Sequence, residues 1–111
     1  MIRIIIWIAS LITALTGAAK GEDGIASQYE RSSGRKVACG GELDESALSA
    51  AHRTLPCGTR VRVENKQNGR SVTVTVNDRG PYIRSRIIDL TPAGARALAF
   101  NGLAPVSVTR D

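Results

Sequence analysis

The sequence predicts a small, mainly β protein whose strands close into a barrel. Apolar and polar residues alternate with period two over residues 59–64 and 71–77, and this pattern with β-branched side chains is typical of half-buried strands. Shorter β-prone segments occur at residues 25–29, 86–90 and 105–109, and few stretches favour a helix. Many short strands with few helices indicate a small β-barrel.

The N-terminal half of the domain contains the weaker signals. Residues 20–24 are polar and glycine-rich and predict a flexible lead-in to the strand at 25–29. Residues 31–36 contain Ser-Ser-Gly and predict a loop. Residues 44–51 contain Ala, Leu and Glu with little β-branching, so they predict one or two helical turns.

The two alternating segments predict an antiparallel hairpin. Between them lie residues 65–70, where Asn68-Gly69 is a strong turn signal. The alternation places one set of side chains on the side that faces the core. These residues are Val61, Val63, Val72, Val74 and Val76.

The C-terminal third predicts a tight loop, a buried strand, a helix and a last strand. Residues 78–81 (Asp-Arg-Gly-Pro) interrupt the alternation, and residues 86–90 follow as a short buried strand. Thr91 and Pro92 are favoured residues for the N-cap and first turn of a helix, which Asn101-Gly102 would end. The apolar stripe of this helix would consist of Ala95, Leu98 and Ala99.

The first 19 residues have the layout of a secretory signal peptide. A positive start at Arg3 is followed by an uncharged apolar stretch, then by small residues ending at Ala19, before charge resumes at Lys20. The alternative is an uncleaved N-terminal anchor, but the stretch is short for a membrane span. No Cys follows the apolar stretch, so we do not expect a lipoprotein. The sequence predicts an exported protein of the periplasm or cell envelope, with its folded domain over residues 25–111.

Two cysteines, Cys39 and Cys57, are the only ones in the chain. An even pair in an exported, oxidising context predicts a disulfide, which would stabilise the fold by roughly 3 kcal/mol in the chain-entropy model. The alternative is two buried free thiols. One His and two Cys are too few for a closed zinc site, so we expect neither a metal nor a cofactor.

Composition narrows the range of partners. The net charge of +5 comes from scattered cations, and only four residues are aromatic, whereas nucleic-acid binding favours clustered cations and exposed aromatics. We therefore expect no nucleic-acid partner. A monomer is expected, with membrane contact only through an uncleaved signal segment. The mild positive charge is compatible with an anionic polymer.

Five short blocks stand out beyond the folding pattern. They are Ala-Ser-Gln-Tyr at 26–29, Gly-Gly-Glu-Leu-Asp at 40–44, Ala-Ala-His-Arg-Thr-Leu-Pro-Cys-Gly-Thr at 50–59, Asn-Asp-Arg-Gly-Pro at 77–81 and Arg-Ile-Ile-Asp-Leu at 86–90. Their order and wording resemble the rare lipoprotein A family, which comprises bacterial septal-ring lytic transglycosylases built on a double-psi β-barrel of six strands with one or two short helices. Expansins and barwin-like proteins are more distantly similar. The resemblance covers residues 25–109.

The resemblance implies action on peptidoglycan glycan strands stripped of stem peptides. A lytic transglycosylase splits the bond between N-acetylmuramic acid and N-acetylglucosamine without water. An acid protonates the glycosidic oxygen, and the sugar's C6 hydroxyl closes a 1,6-anhydro ring, so no second carboxylate is needed to activate water. The main alternative is a non-catalytic glycan-binding or wall-loosening module of the expansin type. A barwin-like binder of chitin-type polymers is a weaker one.

The family's polar site carries over to several positions. Its Asp, His and second Asp fall on Asp44, His52 and Asp78, with Asp44 as the favoured acid. The family's Glu falls on Gly41, and Glu42 follows one residue later as a competing acid. This departure puts catalysis in question and leaves glycan binding in place.

Each candidate also has a structural alternative. Asp44 could cap a helical turn, and Asp78 could satisfy turn amides instead of bonding His52. Asp89 precedes a helix start, but expansin-like relatives place a functional Asp in a similar context. Four residues are predicted to contact the substrate: Arg53, Arg79, Tyr29 and Asp89.

Overall fold

Six strands and one short helix make up the part of the chain that the computed structural model describes, residues 21–29 and 35–111. The expected signal peptide and most of the loop expected at 31–36 lie outside these residues. The elements are β1 (Gly21–Gln28), β2 (Ser49–His52), β3 (Arg60–Asn65), β4 (Ser71–Asp78), β5 (Arg86–Leu90), α1 (Pro92–Ala97) and β6 (Leu103–Arg110).

The strands form a closed barrel in the order β1-β5-β2-β4-β3-β6. The pairs β1/β5 and β2/β4 are parallel, and the other four pairs are antiparallel. This arrangement confirms the predicted mainly β fold with six strands. Within the described ranges, no helix is long and apolar enough to cross a membrane.

The predicted hairpin is confirmed as β3 and β4. Val61 lies opposite Val74 and Val63 opposite Val72, as the alternation requires. Four of the five predicted core valines are at most 1% exposed, and Val72 is partly buried against them. Leu90 and Ile88 of β5 and Val106 of β6 complete the barrel interior.

Residues 21–24, expected as a flexible lead-in, are instead the first half of β1. Their backbone pairs with β6, where Gly21 lies opposite Thr109 and Gly24 opposite Val106. Their polar side chains stay exposed, so composition gave no sign of this pairing. Gly24 also allows a close approach, because a Cβ there would lie 2.6 Å from a methyl carbon of Ile87.

The helical turns expected over residues 44–51 are also wrong in their second half. Residues 45–47 form a turn, and β2 begins at Ser49 with all four of its residues buried. Small side chains at 49–51 fit between β4 and β5, so tertiary packing overrides local helix propensity.

The predicted helix is confirmed but is short. The Thr91 hydroxyl accepts a hydrogen bond from the Gly94 amide, as an N-cap should, and Pro92 lies in the first turn. Ala95 and Leu98 are buried as expected. Ala99 is exposed with φ 57°, beyond the helix end, and is not part of the apolar stripe.

The predicted disulfide is confirmed. Cys39 and Cys57 are bonded across 18 residues of sequence. The Cys39 amide also donates to the carbonyl oxygen of Asn77, at the end of β4. The bond therefore fastens the loop before β2 to the loop after it.

Candidate functional site

A cluster of polar side chains lies on the outside of the barrel, across β1, β5, β2 and β4. In the strand register Ser27 pairs with Asp89, and Ala51 lies beside both Asp89 and Asp78. Asp89 points away from the interior because its neighbours in the strand fill the core. We call this cluster the carboxylate face; it consists of Ser27, Tyr29, Arg35, Asp78 and Asp89.

Asp78 is held ionised at the end of β4. Tyr29 donates its hydroxyl to Oδ2 at 2.7 Å, and the amides of Ala38 and Arg79 donate to Oδ1 at 2.8 and 2.9 Å. The Arg35 guanidinium lies 3.7 Å from Oδ2. Burial acts to raise the pKa of Asp78, but these hydrogen bonds and the Arg35 charge outweigh it and hold the pKa below its usual range.

Tyr29 serves this carboxylate as a fixed donor. Its side chain is buried, and the Arg35 guanidinium lies 5.0 Å from the centre of its ring. Burial, and next the hydrogen bond to Asp78, raise the pKa of the Tyr29 phenol well above its usual value. Its hydroxyl therefore keeps its proton at neutral pH.

Asp89 has the opposite character. Burial raises its pKa to about 6, and the nearby Asp78 charge adds to this effect. The Ser27 hydroxyl donates to it over a long 3.4 Å, and the charges of Arg35 and Arg86 lower the pKa only in part. Two neighbouring carboxyl groups with pKa values pushed apart are typical of an acid that carries a proton beside a carboxylate that does not.

His52 lies elsewhere. Ala51 faces the carboxylate face, so the next side chain points to the other side of β2. There His52 Nε2 lies 2.9 Å from Oε1 of Glu22, while Nδ1 accepts hydrogen bonds from the amides of Thr54 and Leu55 at 3.2 Å. Both ring nitrogens are occupied, so the bond from His52 to Asp78 that the sequence left open is not formed. We call Glu22 and His52 the barrel-end pair.

The predicted acid Asp44 and its competitor Glu42 lie in the exposed loop before β2. Oδ1 of Asp44 accepts hydrogen bonds from the hydroxyl of Ser46 at 2.6 Å and from its amide at 2.9 Å. These hydrogen bonds lower the pKa of Asp44. Gly41 has φ +86°, where a Glu would be strained. The structure therefore gives Asp44 surroundings that favour its ionised form, and it leaves Glu42 exposed.

The two predicted arginines differ in their surroundings. Arg79 donates from Nη1 to the carbonyl oxygen of His52 at 2.8 Å, and Nη2 lies 3.8 Å from the sulfur of Cys57. Arg79 therefore ties the end of β4 to the end of β2. Arg53 is exposed on the loop that follows β2.

The sequence reading missed several residues near the carboxylates. Ser27 lies two residues before Tyr29, so strand alternation could have placed it on the same face. Arg35 and Glu22 had no motif to mark them. Tyr82, in the loop between the two carboxylate-bearing strands, is 75% exposed, and exposed aromatic surface often marks a binding surface. Among residues 21–29 and 35–111, no three His, Cys, Asp or Glu side chains converge as metal ligands.

The closed six-stranded topology with two parallel pairs, carrying polar residues on its outer face, defines a double-psi β-barrel domain. The model of the family described as "Lytic transglycolase" matches residues 21–108. The chain belongs to this family.

Curated relatives agree with that assignment. A Nostoc sp. protein named "Probable endolytic peptidoglycan transglycosylase RlpA" is 52% identical over 90 residues, which cover 77% of this chain and 24% of that protein. The "Endolytic peptidoglycan transglycosylase RlpA" of Campylobacter jejuni is 47% identical over 96 residues, 82% of this chain and 35% of that protein. The chain thus spans about a quarter to a third of the length of these relatives.

Solved structures support the fold. An expansin from Clavibacter michiganensis matches with a TM-score of 0.66 and 23% identity, over 83% of this chain and 50% of that one. A Streptomyces papain inhibitor matches with a TM-score of 0.57 and 26% identity, over 79% of this chain and 94% of that one. The barrel is therefore shared with proteins of different activities, so function must be argued from the site.

Proposed function

We propose that this domain is a lytic transglycosylase that acts, after export, on the glycan strands of peptidoglycan, with Asp89 as its acid. The observation that carries the proposal is the pairing of two unlike carboxyl groups on the carboxylate face. Burial raises the pKa of Asp89 to about 6, whereas hydrogen bonds hold the pKa of Asp78 low. The names of the curated relatives support the same reaction.

In this mechanism Asp89 protonates the glycosidic oxygen as the bond to the anomeric carbon of N-acetylmuramic acid breaks. The C6 hydroxyl of the same sugar attacks that carbon and closes the 1,6-anhydro ring. Its proton passes to the carboxylate that Asp89 has become, which restores the acid. No water is consumed, and one carboxyl group acts first as acid and then as base.

Asp78 would act without exchanging a proton. Its negative charge stabilises the positive charge that develops on the anomeric carbon, and by repulsion it adds to the raised pKa of Asp89. Three donors hold its oxygens in place, so this charge needs little reorganisation during the reaction. Tyr29 and Arg35 are thus positioning residues for Asp78.

The N-terminal segment and the disulfide support the proposed site of action. Residues 1–19 read as a signal peptide, and a disulfide persists in oxidising compartments outside the cytoplasm. We therefore place the domain in the periplasm or cell envelope, in contact with its polymer.

The test uses the oxidised chain on purified glycan strands, with and without stem peptides. We expect products with 1,6-anhydro ends, read by mass, which are lost in Asp89→Asn and kept in Asp44→Asn. Co-sedimentation with the strands is measured on the same samples. If wild-type protein gives no anhydro ends on either substrate, the enzymatic proposal is rejected.

A second candidate function is glycan binding without cleavage. It is favoured by Gly41, which stands where the family's Glu falls and whose backbone at φ +86° disfavours a side chain. In that case the strands would co-sediment with the protein and no anhydro product would form. The carboxylate face would then serve as a binding surface only.

A further inference from the structure

A cavity of about 320 Å³ borders the carboxylate face. The two meet at Ser27, which lines the cavity and donates to Asp89. Its volume is at the lower end of the range of small-ligand pockets. The lining residues are Ser27, Gln28, Arg86, Asn101, Gly102 and Leu103.

Arg86 shares the outer face with Asp89 because of an irregularity in β5. The register between β1 and β5 shifts at Ile25/Ala26, so that both Ile87 and Ile88 point into the core. Arg86 and Asp89 flank these two residues, and both are half-buried. In a regular strand, residues three apart would point to opposite faces.

The Arg86 guanidinium has no hydrogen bond or ion pair to any residue of the described ranges. Its charge acts on Asp89, whose pKa it lowers, and a guanidinium also pairs well with a carboxylate through two parallel hydrogen bonds. Gln28 and Asn101, whose side chains carry amide donors, also line the cavity. The cavity therefore combines a positive charge and neutral donors next to the proposed acid.

We propose that this cavity receives the lactyl carboxylate of N-acetylmuramic acid and that Arg86 binds it. The inference rests on the proposed function. Of the two sugars in a glycan strand, only N-acetylmuramic acid carries an acidic substituent, and it is the sugar that forms the anhydro ring. Arg86 thus selects the muramic residue and places its anomeric carbon near Asp89.

The test changes the charge on both partners. One substrate is glycan strands free of stem peptides, with free lactyl carboxylates; the other is the same strands with those groups converted to primary amides. We expect wild-type protein to bind and cleave the carboxylate strands about 10–100-fold better, as for a charge-assisted hydrogen bond of about 1.5–3 kcal/mol. Arg86→Gln should lose this preference, so that it binds and cleaves the carboxylate strands no better than the amide strands.

Two further variants separate recognition from structure. Arg86→Lys should keep part of the preference, because an ammonium pairs with a carboxylate at a single point. Arg84→Gln is the matched control: Arg84 is exposed two residues earlier, outside the cavity, and its loss should leave the preference intact. Thermal unfolding of each variant checks that the barrel is folded.

Two results would overturn the inference. One is that wild-type protein binds and cleaves the carboxylate and amide strands equally well. The other is that Arg86→Gln lowers binding and cleavage of both kinds of strand by the same factor. Binding to the carboxylate and amide strands tests the role of Arg86 even where no bond is cleaved. Absence of anhydro products from every sample would instead reject the proposed function and leave the binding comparison standing.

Discussion

The carboxylate face and the barrel-end pair are built from the same sequence blocks, yet they differ in almost every physical respect. Ala51 and His52 are consecutive in β2, but the first faces Asp78 and Asp89 and the second faces Glu22. Strand alternation therefore divides a motif that reads as one unit. Closeness in a strand's sequence does not imply membership of one site.

The two regions also differ in what their polar atoms can still do. On the carboxylate face, burial raises the pKa of Asp89 to about 6 and its one donor is weak, so a fraction of this group carries a proton near neutral pH and is available for chemistry. At the barrel end, both ring nitrogens of His52 are engaged, and Nδ1 fixes the amides of Thr54 and Leu55. We expect the first region to act on the substrate and the second to position the loop that leads to Cys57.

The largest effect should come from Asp89→Asn. An amide of the same shape cannot donate the proton, so the rate of anhydro-product formation should fall about 10²- to 10⁴-fold, the usual contribution of a general acid. Co-sedimentation with glycan strands should be retained. Unchanged product formation would remove Asp89 from the mechanism.

The disulfide fastens the loop before β2 to the loop after it, so its loss should reduce stability. In the Cys39→Ser/Cys57→Ser double variant, the free energy of unfolding should fall by about 3 kcal/mol, because an 18-residue loop is no longer closed in the unfolded chain. Urea unfolding at pH 7 measures the change. A difference below 1 kcal/mol would mean that other contacts fasten these loops.

Substitutions at His52 sharpen the comparison most. His52→Ala should lower the free energy of unfolding by about 1–3 kcal/mol, because two amides lose their acceptor. His52→Asn, whose oxygen can replace Nδ1, should recover much of that loss. Activity per folded molecule should be unchanged in both variants. If His52→Asn folded normally but lost 100-fold in rate, the barrel-end pair would belong to the chemistry.

The stability of the protein should depend on the Asp89 proton. Because its folded-state pKa is raised, the folded protein binds more protons than the unfolded chain, so this contribution is fully present below about pH 4 and is lost as pH rises through about 6. As pH rises over this range, the free energy of unfolding of wild-type protein should fall by about 1–2 kcal/mol relative to that of Asp89→Asn, after allowance for solvent screening. Chemical unfolding of both proteins across pH 4–7 tests the sign. If the free energy of unfolding of wild-type protein rose relative to that of Asp89→Asn as pH increased, the raised pKa would be contradicted.

The smallest effect should come from Asp44→Asn. Asp44 is exposed, and its hydrogen bonds to Ser46 lower its pKa, so it makes a poor acid at neutral pH. Product formation should change less than twofold, as measured by mass. A loss as large as that in Asp89→Asn would move the acid into the loop before β2.

Much of the fold could be predicted because its strands have a clear two-residue period. The hairpin β3/β4, the strand β5 and the Thr91 cap depend on local signals that residue order alone provides. The start of β1 and the whole of β2 could not be found in this way. Polar residues 21–23 join a strand only because β6 offers them a partner, and residues 49–51 become a strand only because small side chains fit between two others.

The site was predictable as a set of candidates but not as an arrangement. Motif wording singled out Tyr29, Asp78 and Asp89, which the barrel brings together. The distribution of protons between the carboxyl groups depends on burial and on donors from distant segments, such as the amide of Ala38. Those influences leave no local trace, so the sequence favoured Asp44 as the acid.

The most direct test of the central claim is an NMR titration of the side-chain carboxyl groups in the oxidised wild-type protein. We predict that Asp89 titrates near pH 6, while Asp78 stays ionised to well below the usual range of an Asp. Such a result would give the carboxylate face its acid and its fixed charge. If both groups titrated together near pH 4, or if Asp78 held its proton longer than Asp89, the assignment of roles on the carboxylate face would be contradicted.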